Sequence, residues 1–523
     1  MADDRWRQLL VWSNGQPDLA PSRARLPADD QHAARLMADM VWSGQLHQVP
    51  GDKLWYVCAD DLSYHRPDAS SAIDRRVEQF AGLLDQALEA CRQQLAIETR
   101  LANPAATDAE ITVMVRQAWA GTQANPSPWK PLVAYATGLR KATGLKNIRT
   151  WLTAVCGTDP EVMADHHPRL LNMANCTAVL DRFEGEPDWY QHDPSRLHTY
   201  RVEAAYLGLP DGVSGWDVMA LCPRYRDMLW WAAGCDEEVF WYLVMVLGYA
   251  ALGANPLHLL YFLSGPPRSG KTKLLEILST VLGERLAYEA KPDLIASEQP
   301  HSRNEASMRG ARVITISETN ERLQLSEVQL KRLTGMSHVS VSMLWDKTMT
   351  RVPVTWLFII DNNQMPKINY MDTGLAARTW VLPMGKTIPA EHRDPYLAGK
   401  IVEAERDGIA TMLVWACREA MRNGGRALMM PPLAVVQATE TYRREQDTIG
   451  LWLAERTNAS LNGHTRAVAG AEVYDDYLAW CKTKDEQPLG RNTFYTDLAA
   501  RSGISKTGDA HHVWFIGFEL AWS

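Results

Sequence analysis

The sequence has no run of about 18 or more apolar residues, and its start, MADDRWRQLL, lacks the apolar segment of a signal peptide. Its 8 cysteines stand singly without a C-x-x-C pair, which indicates reduced thiols rather than a disulfide framework. The pairs His166-His167 and His511-His512 have no partners at metal-ligand spacing, so we interpret both as ordinary surface or loop histidines. These absences argue against a membrane span or a secreted protein and predict a cytoplasmic one.

The sequence also lacks an excess of basic residues. Its 54 lysines and arginines against 62 acidic residues give a formal net charge of −8, which argues against a surface coated in positive charge. A narrow basic channel is still compatible with this charge, and a few of the 20 tryptophans could stack on bases. With 523 residues, 46% of them hydrophobic and 22% charged, the chain is expected to form three or four globular domains.

The sequence pattern predicts a multidomain α/β protein with four segments. Residues 1–30 are polar and contain proline, so we expect a flexible tail. Residues 31–235 alternate helical patterns with polar breaks and predict a mainly α-helical domain. Residues 236–425 alternate apolar strands with helices, which is typical of an α/β core, and residues 431–523 form a separate small domain.

The small C-terminal domain has the pattern of a winged helix. Three predicted helices are followed by HHVWFIGFEL, which predicts a terminal strand pair. In such a domain Arg491, Asn492 and Tyr495 would lie on the recognition helix. Winged helices bind DNA in some proteins and other proteins in others, so both partners stay open here.

Residues 265–272, GPPRSGKT, fit the pattern G-x-x-x-x-G-K-[ST] between a predicted buried strand and a predicted helix. Glycines let the backbone curl around phosphates, and the helix start points free N–H groups at them. Lys271 can reach the β- and γ-phosphates, and the Thr272 hydroxyl can hold Mg²⁺. We therefore predict a nucleotide-binding loop, the phosphate loop. Its nucleotide-binding residues are expected to be Gly265, Pro266, Pro267, Arg268, Ser269, Gly270, Lys271, Thr272 and Lys273.

Polar residues downstream extend this site. Glu318 follows the predicted strand ARVITIS and can polarise the attacking water or hold Mg²⁺ through water. The run Asp361-Asn362-Asn363 follows the strand TWLFII, where an amide can orient water, although Asn and Asp also simply favour turns. Arg378 lies just before another apolar strand. The phosphate loop alone does not distinguish a kinase, a GTPase and a motor.

Taken together, these motifs resemble the AAA+ core of superfamily 3 helicases. More narrowly, the chain looks like the helicase half of phage and plasmid primase-helicases, which are related to the poxvirus primase-helicase. The segments that carry the resemblance are LLNMANCTAVLDR with the following HDP, the phosphate loop, GARVITISETNE, LKRLTG, DNNQMPKI, ARTWVLPM and TETYRREQD. They lie in the family's order from about residue 30 onward. Residues 31–235 would then be the family's associated domain and residues 236–425 its AAA+ core.

The resemblance implies a role for each matching residue. Lys271 and Thr272 correspond to Walker A, and Glu318 to the Walker B acid, which with Thr272 would form the metal site. Asn363, three residues before a proline, matches sensor 1, and Arg378, five residues before a proline, matches the arginine finger. Lys271, Glu318, Asn363 and Arg378 are thus the expected catalytic residues, with ATP and Mg²⁺ as cofactors. Because such a finger completes the neighbouring subunit's site, the resemblance implies a ring, usually a hexamer.

The resemblance also implies a DNA-contacting hairpin between LKRLTG and DNNQMP. Its basic candidates are Lys331, Arg332, Lys347 and Arg351, with Lys347 expected at the tip. For each of them a solvated surface side chain is an almost equally good interpretation. The chain departs from the family here, because Met336-Ser337-His338 replaces the usual Gly-Asp after LTG.

The expected function is that of an ATP-hydrolysing DNA helicase from a phage or mobile element in a bacterial host. It would act as a ring on single-stranded or forked DNA, moving 3′ to 5′ by resemblance, with a separate primase or polymerase partner. About 30 residues precede the match, so we expect no primase domain and no primer synthesis. Two alternatives remain: an ATP-switched replication initiator or helicase loader that binds origin DNA, and a small-molecule P-loop kinase.

Overall fold

The structure is a computed structural model in which two compact units are distinguished and treated separately. The first comprises residues 1–166 and 191–201, and the second residues 167–190 and 202–523. The division falls inside the segment 31–235, for which the sequence pattern predicts one domain. The residues described are 4–9, 12–13, 16–17, 27, 29–42, 46–49, 54–58, 64–65, 71–157, 167–296, 305, 307–317, 325–342, 349–362, 365–366, 373–459, 467–484, 486–508 and 512–521. None of the helices in these ranges is both long and apolar enough to cross a membrane.

The first unit is mainly helical. Its helices are α1 (Asp30–Trp42), α2 (Ser71–Ala102), α3 (Asp108–Ala120), α4 (Lys130–Leu139) and α5 (Ala142–Val155). Its strands are β1 (Trp12–Ser13), β2 (Gln16–Pro17), β3 (Leu46–Val49), β4 (Leu54–Cys58) and β5 (Tyr64–His65). The long helix α2 buries Val77, Phe80, Leu84, Ala87 and Cys91, whose spacing of three or four residues puts them on one face.

The N-terminal segment contributes to this unit. Asp4–Leu9 form a 3₁₀ turn, and Leu9 is fully buried in the core of the helices. Helix α3 begins with a capping box, in which the Thr107 hydroxyl accepts from the Glu110 N–H and the Glu110 carboxylate accepts from the Thr107 N–H. The unit therefore has its own core and its own helix-capping interactions.

The second unit begins with short elements and three helices. These are β6 (Leu170–Asn172), β7 (Thr177–Val179), β8 (Trp189–Tyr190), α6 (Gly215–Met219), α7 (Pro223–Ala232) and α8 (Glu237–Ala250). Asp236 caps α8, as its side chain accepts from the Val239 N–H. The clearest helix predicted from the sequence, residues 236–252, is thus present.

A parallel five-stranded sheet forms the centre of this unit. Its strands are β9 (Leu260–Ser264), β10 (Ala287–Glu289), β11 (Val313–Ile316), β14 (Leu357–Asn362) and β15 (Thr379–Pro383). Their order across the sheet is β10-β11-β14-β9-β15, and all neighbouring pairs are parallel. All four residues of β11 and the first four of β9 are buried, as expected for a sheet covered on both faces.

Helices surround the sheet. They are α9 (Lys271–Leu282), α10 (Asp293–Ala296), α11 (Glu327–Gly335), α12 (Thr373–Ala376), α13 (Leu397–Met429) and α14 (Leu433–Gln446). Helix α13 packs against α8 and α9, and α14 packs against β15. The helical conformation of α13 is interrupted at Arg422–Gly425, where Asn423, Gly424 and Gly425 have positive φ. The sequence pattern predicts a helix over residues 397–425, so the interruption falls at the end of the predicted helix.

An antiparallel hairpin connects α11 to β14. Its strands are β12 (His338–Ser342) and β13 (Met349–Pro353), in the register His338 to Pro353 and Ser342 to Met349. The structure thus has a hairpin in the segment where the sequence predicts one. Trp356, fully buried behind it, donates its indole N–H to the Leu333 carbonyl at 3.0 Å.

The C-terminal elements are α15 (Thr448–Arg456), β16 (Thr457–Ala459), β17 (Val468–Ala469), α16 (Gly470–Lys484), α17 (Arg491–Ala499), β18 (Ser505–Gly508), β19 (Val513–Ile516) and β20 (Phe518–Leu520). The sequence pattern predicts one helix over residues 434–456, but Asp447 ends α14 and caps α15, so the structure has two. The expected final strand pair is also different. A positive φ at Gly517 separates β19, which pairs with β17 and β18, from β20, which pairs with β16.

Candidate functional site

The phosphate loop lies at the carboxyl edge of the sheet, between β9 and α9. The strand order reverses at β9, and such a switch point is where open α/β sheets bind ligands. Gly270, at the start of α9, has a φ of +100°, which favours glycine. No side chain caps α9, so its first N–H groups are available to an anion.

The segment that follows β15, residues 384–388, packs against the phosphate loop and forms hydrogen bonds with it. A Cβ on Gly265 would lie 2.8 Å from the Cβ of Met384, so this glycine allows the two segments to pack closely. The Ile388 N–H donates to the Arg268 carbonyl at 2.9 Å. The Thr387 hydroxyl donates to the neighbouring Pro267 carbonyl at 3.0 Å. The loop conformation is therefore fixed by packing as well as by its own sequence.

The Lys271 side chain is folded into the loop and is only 4% exposed. Its Nζ donates to the carbonyls of Gly265 at 2.9 Å and Pro266 at 3.1 Å, and to the Ser269 hydroxyl at 3.4 Å. Burial lowers the pKa of this ammonium, while the nearby carboxylate of Asp361 acts to raise it. A bound triphosphate would compete with these oxygens for the ammonium.

Thr272 and Asp361 form the polar side of the loop. The Thr272 hydroxyl donates to Asp361 Oδ2 at 2.8 Å. Asp361 lies on β14, opposite Leu263 of β9, and is 5% exposed. Burial raises the pKa of this carboxyl, opposed by the hydrogen bond from Thr272 and the charge of Lys271.

These groups fit a nucleotide with Mg²⁺. Mg²⁺ prefers oxygen ligands and is usually held by one or two protein groups together with substrate phosphates and waters. An exposed hydroxyl on Thr272 beside the carboxylate of Asp361 supplies such a donor set. Among the residues described, no cluster of three or more His, Cys, Asp or Glu side chains could hold a metal on its own.

The other residues of the predicted phosphate loop differ in their exposure to solvent. Pro266, Pro267 and Arg268 are exposed, whereas Ser269 is buried. Lys273 points to Glu276 one turn along α9, with 2.7 Å between its Nζ and the carboxylate.

Three predicted site residues lie outside the described residues. They are Glu318, Asn363 and Lys347. Their strands can still be located, because β11 ends at Ile316 and β14 at Asn362. Both ends lie at the same edge of the sheet as the phosphate loop. Because Glu318 and Asn363 themselves are outside the described residues, their roles stay predictions.

Arg378 lies at the opposite edge of the sheet. It precedes β15, whose first residue pairs with Leu260 and whose last pairs with Ser264. The length of β9, five residues at about 3.3 Å each, separates this edge from the loop. A Cβ on Gly335 would collide with the Arg378 guanidinium, which therefore lies at the carboxyl end of α11. Arg378 cannot reach the phosphate loop of its own chain.

The basic candidates near the hairpin differ in their surroundings. Arg332 forms an ion pair with Glu305 and donates from Nε to Gln329 Oε1 at 3.0 Å. Burial lowers the pKa of the Arg332 guanidinium. Lys331 is 3.9 Å from Glu327 one turn away, and Arg351 is exposed on β13. Arg332 is thus engaged inside the protein, while Lys331 and Arg351 are more accessible.

The three residues predicted on a recognition helix line a groove in the C-terminal region. Arg491, Asn492 and Tyr495 on α17 face the strands β18 and β19 across a groove of about 670 Å³. The described lining contains Lys506 and His512 but no Asp or Glu. Trp514, 41% exposed, lies on the same groove.

Comparison with known proteins gives a distant helicase similarity. No family model matches the chain. A protein of Acanthamoeba polyphaga mimivirus named "Putative helicase L207/L206" is 23% identical over 274 residues, which are 47% of this chain and 27% of that protein. The chain thus matches only about a quarter of that relative.

Solved structures that match the chain include the NrS-1 C-terminal region. One apo form has a TM-score of 0.43 at 8% identity, covering 92% of this chain and 99% of that one. A second apo structure of that region, residues 305–718, has a TM-score of 0.37 at 11% identity, covering 65% of this chain and 85% of that one.

Asp361 is not among the site residues that the sequence pattern predicts. The run Asp361-Asn362-Asn363 has the pattern of a strand tip or turn, but β14 continues through Asn362. The available signal was a carboxylate at the end of an apolar strand downstream of the phosphate loop. Its contact with Thr272 depends on β14 lying next to β9, which the chain order does not reveal.

Proposed function

We propose that this chain is an ATP-dependent DNA helicase or translocase of phage or mobile-element replication, acting as a ring, by resemblance a hexamer, on single-stranded DNA. The observation that carries the proposal is the position of two charged groups. Lys271 lies in the phosphate loop at one edge of the sheet, and Arg378 lies at the other. A site that uses both therefore takes them from two subunits.

In the proposed mechanism, Lys271 and the free N–H groups at the start of α9 bind the nucleotide phosphates. Mg²⁺, when bound, would neutralise charge between the β- and γ-phosphates. Glu318 and Asn363 would orient the attacking water. Arg378 of the next subunit would stabilise the charge that develops in the transition state, which is worth about 10³-fold or more in rate.

The hairpin supports the DNA side of the proposal. Strands β12 and β13 lie between α11 and β14 and lead into the start of β14, at the edge of the sheet where Arg378 lies. Lys331, Lys347 and Arg351 would contact the DNA backbone, while Arg332 would brace α11. Translocation 3′ to 5′ and a separate primase or polymerase are further parts of the proposal, by resemblance. DNA binding should weaken steeply with salt.

ATP hydrolysis with and without single-stranded DNA tests this function. We would compare wild type, Lys271→Ala, Arg378→Ala and an equal mixture of the two variants. Either variant alone should lose nearly all activity. The mixture should recover part of it, because an intact loop can face an intact finger. A wild type that neither hydrolyses ATP nor responds to DNA, with no recovery in the mixture, would overturn the proposal and favour a kinase.

The groove of about 670 Å³ favours a second candidate, an initiator or helicase loader that binds a DNA duplex through its C-terminal domain. Its described lining carries Arg491 and Lys506 without a carboxylate, in a chain of net charge −8. A helicase should show ATP turnover that rises with single strands. An initiator should bind a particular duplex, lose that binding in Arg491→Ala, and show turnover that single strands leave unchanged.

A further inference from the structure

Asp361 is a buried carboxylate beside the phosphate loop to which the sequence analysis gave no role. It lies within β14 rather than on a loop, and the register with β9 fixes it opposite Leu263. Its position is therefore set by the ladder hydrogen bonds of two central strands. A side chain on such an element is held more precisely than one on a loop.

Burying this carboxylate needs compensation. Asp361 is 5% exposed, and an unpaired buried charge is strongly unfavourable. Thr272 is the one hydrogen-bond donor to it among the described residues. Lys271 contributes a favourable charge, while its ammonium donates to oxygens of the loop itself. One hydroxyl and one nearby ammonium leave capacity on this carboxylate for further donors, and metal-bound waters are donors of the right kind.

We propose that Asp361 is the metal-side positioning residue of this site, which orients the Thr272 hydroxyl toward Mg²⁺ and accepts hydrogen bonds from waters on the ion. This assignment rests on the proposed nucleotide binding. It differs from the expectation that Glu318 supplies the metal-side carboxylate. With Asp361 in that role, Glu318 is left to orient water.

The chemistry of the neighbours agrees with this role. Thr272 is an exposed residue, and its hydroxyl donates its proton to Asp361. A hydroxyl that donates to a carboxylate turns its lone pairs elsewhere, and those lone pairs can then bind a cation. Carboxylates that accept a hydrogen bond from a metal-binding side chain typically contribute about 10- to 100-fold to metal affinity.

The test is binding of a fluorescent ATP analogue to the full chain, titrated with Mg²⁺ and repeated in EDTA. Asp361→Asn keeps the size of the side chain and an oxygen that can accept from Thr272, but removes the charge. We expect the Mg²⁺ concentration for half-maximal binding to rise by about 10-fold or more. Affinity in EDTA should change less than about threefold.

A matched control is Glu276→Gln, on the same helix as Thr272. It also removes one negative charge near the loop, because Glu276 pairs with Lys273, but it does not touch Thr272 or Asp361. Its Mg²⁺ dependence should equal that of wild type. Equal losses with and without Mg²⁺ in Asp361→Asn would make Asp361 purely structural, and an unchanged Mg²⁺ dependence would also refute the assignment. If wild type itself fails to bind the analogue, the proposed function fails with it.

Discussion

Replacing Arg332 should destabilise the core rather than release DNA. The sequence makes Arg332 a candidate DNA contact, but its guanidinium pairs with Glu305, whose side chain is only 10% exposed. Gln329 donates to the same carboxylate at 3.0 Å. In Arg332→Ala this carboxylate loses its charged partner while staying buried. An uncompensated buried charge strongly destabilises the folded state.

The structure sets the size of the effect. Removing one partner of a buried ion pair lowers the free energy of unfolding by about 3–5 kcal/mol. Because Arg332 itself is 27% exposed, we reduce this to roughly 2–3 kcal/mol. For the second unit, which has about 350 residues, that corresponds to a decrease in melting temperature of roughly 3–4 °C.

Thermal unfolding followed by circular dichroism measures this directly. Lys331→Ala is the matched control, since Lys331 is the preceding residue on α11 and its 3.9 Å ion pair with Glu327 is accessible to solvent. It should change stability by less than about 0.5 kcal/mol. The double variant Glu305→Gln with Arg332→Ala should be more stable than the sum of the single effects predicts.

DNA binding separates the two roles of Arg332. On single-stranded DNA, removing one phosphate-binding side chain from a protein that stays folded lowers the salt dependence of binding by about 0.7 in the logarithmic slope. Our interpretation would be refuted if Arg332→Ala kept the wild-type melting temperature and showed this smaller slope. It would be supported if the slope fell in Lys331→Ala or Arg351→Ala instead.

Three further predictions follow from local geometry. Gly270→Ala should cost about 1–2 kcal/mol by chemical denaturation because φ there is +100°, whereas Gly399→Ala, in open space, should cost nothing. Cys235 is exposed while the other described cysteines are buried or half-buried, so Cys235→Ser should abolish the fast phase of thiol labelling with Ellman's reagent. Burial acts to raise the pKa of Asp447, but bonds that include those from Arg501 hold it below its usual value. Asp447→Asn should therefore destabilise at pH 7, and in pH-dependent melts this difference should begin to shrink near pH 4 and disappear as the pH falls through the lowered pKa of the folded state.

Local patterns in the sequence were sufficient for the elements around the phosphate loop. The apolar run before Gly265, the helical spacing after Lys271 and the glycine at position 283 each act within a few residues, and the structure has β9, α9 and a positive φ at Gly283 there. The hairpin between α11 and β14 was expected only from the family resemblance, and its six-residue connection, 343–348, lies outside the described residues.

Contacts between distant segments were not predictable. Glu305 and Arg332 are 27 residues apart and meet only because α11 packs beside residue 305. Thr272 and Asp361 are 89 residues apart and meet because β14 lies next to β9. Likewise, β19 and β20 are adjacent in sequence yet pair with different strands, because Gly517 turns the chain between them. In each case the sequence specifies the residues, and strand order or packing decides which of them touch.

The two edges of the sheet lead to one more prediction. Lys271 and Asp361 act at the same loop of one chain, whereas Arg378 would act on the loop of another. At Mg²⁺ concentrations that saturate wild type but not Asp361→Asn, a mixture of Lys271→Ala with Asp361→Asn should therefore recover no ATP hydrolysis, since neither chain has an intact loop. A mixture of Arg378→Ala with Asp361→Asn should recover activity as the mixture with Lys271→Ala does. Recovery in the first mixture would show that Asp361 acts across the subunit boundary and would contradict its position on β14 beside Thr272.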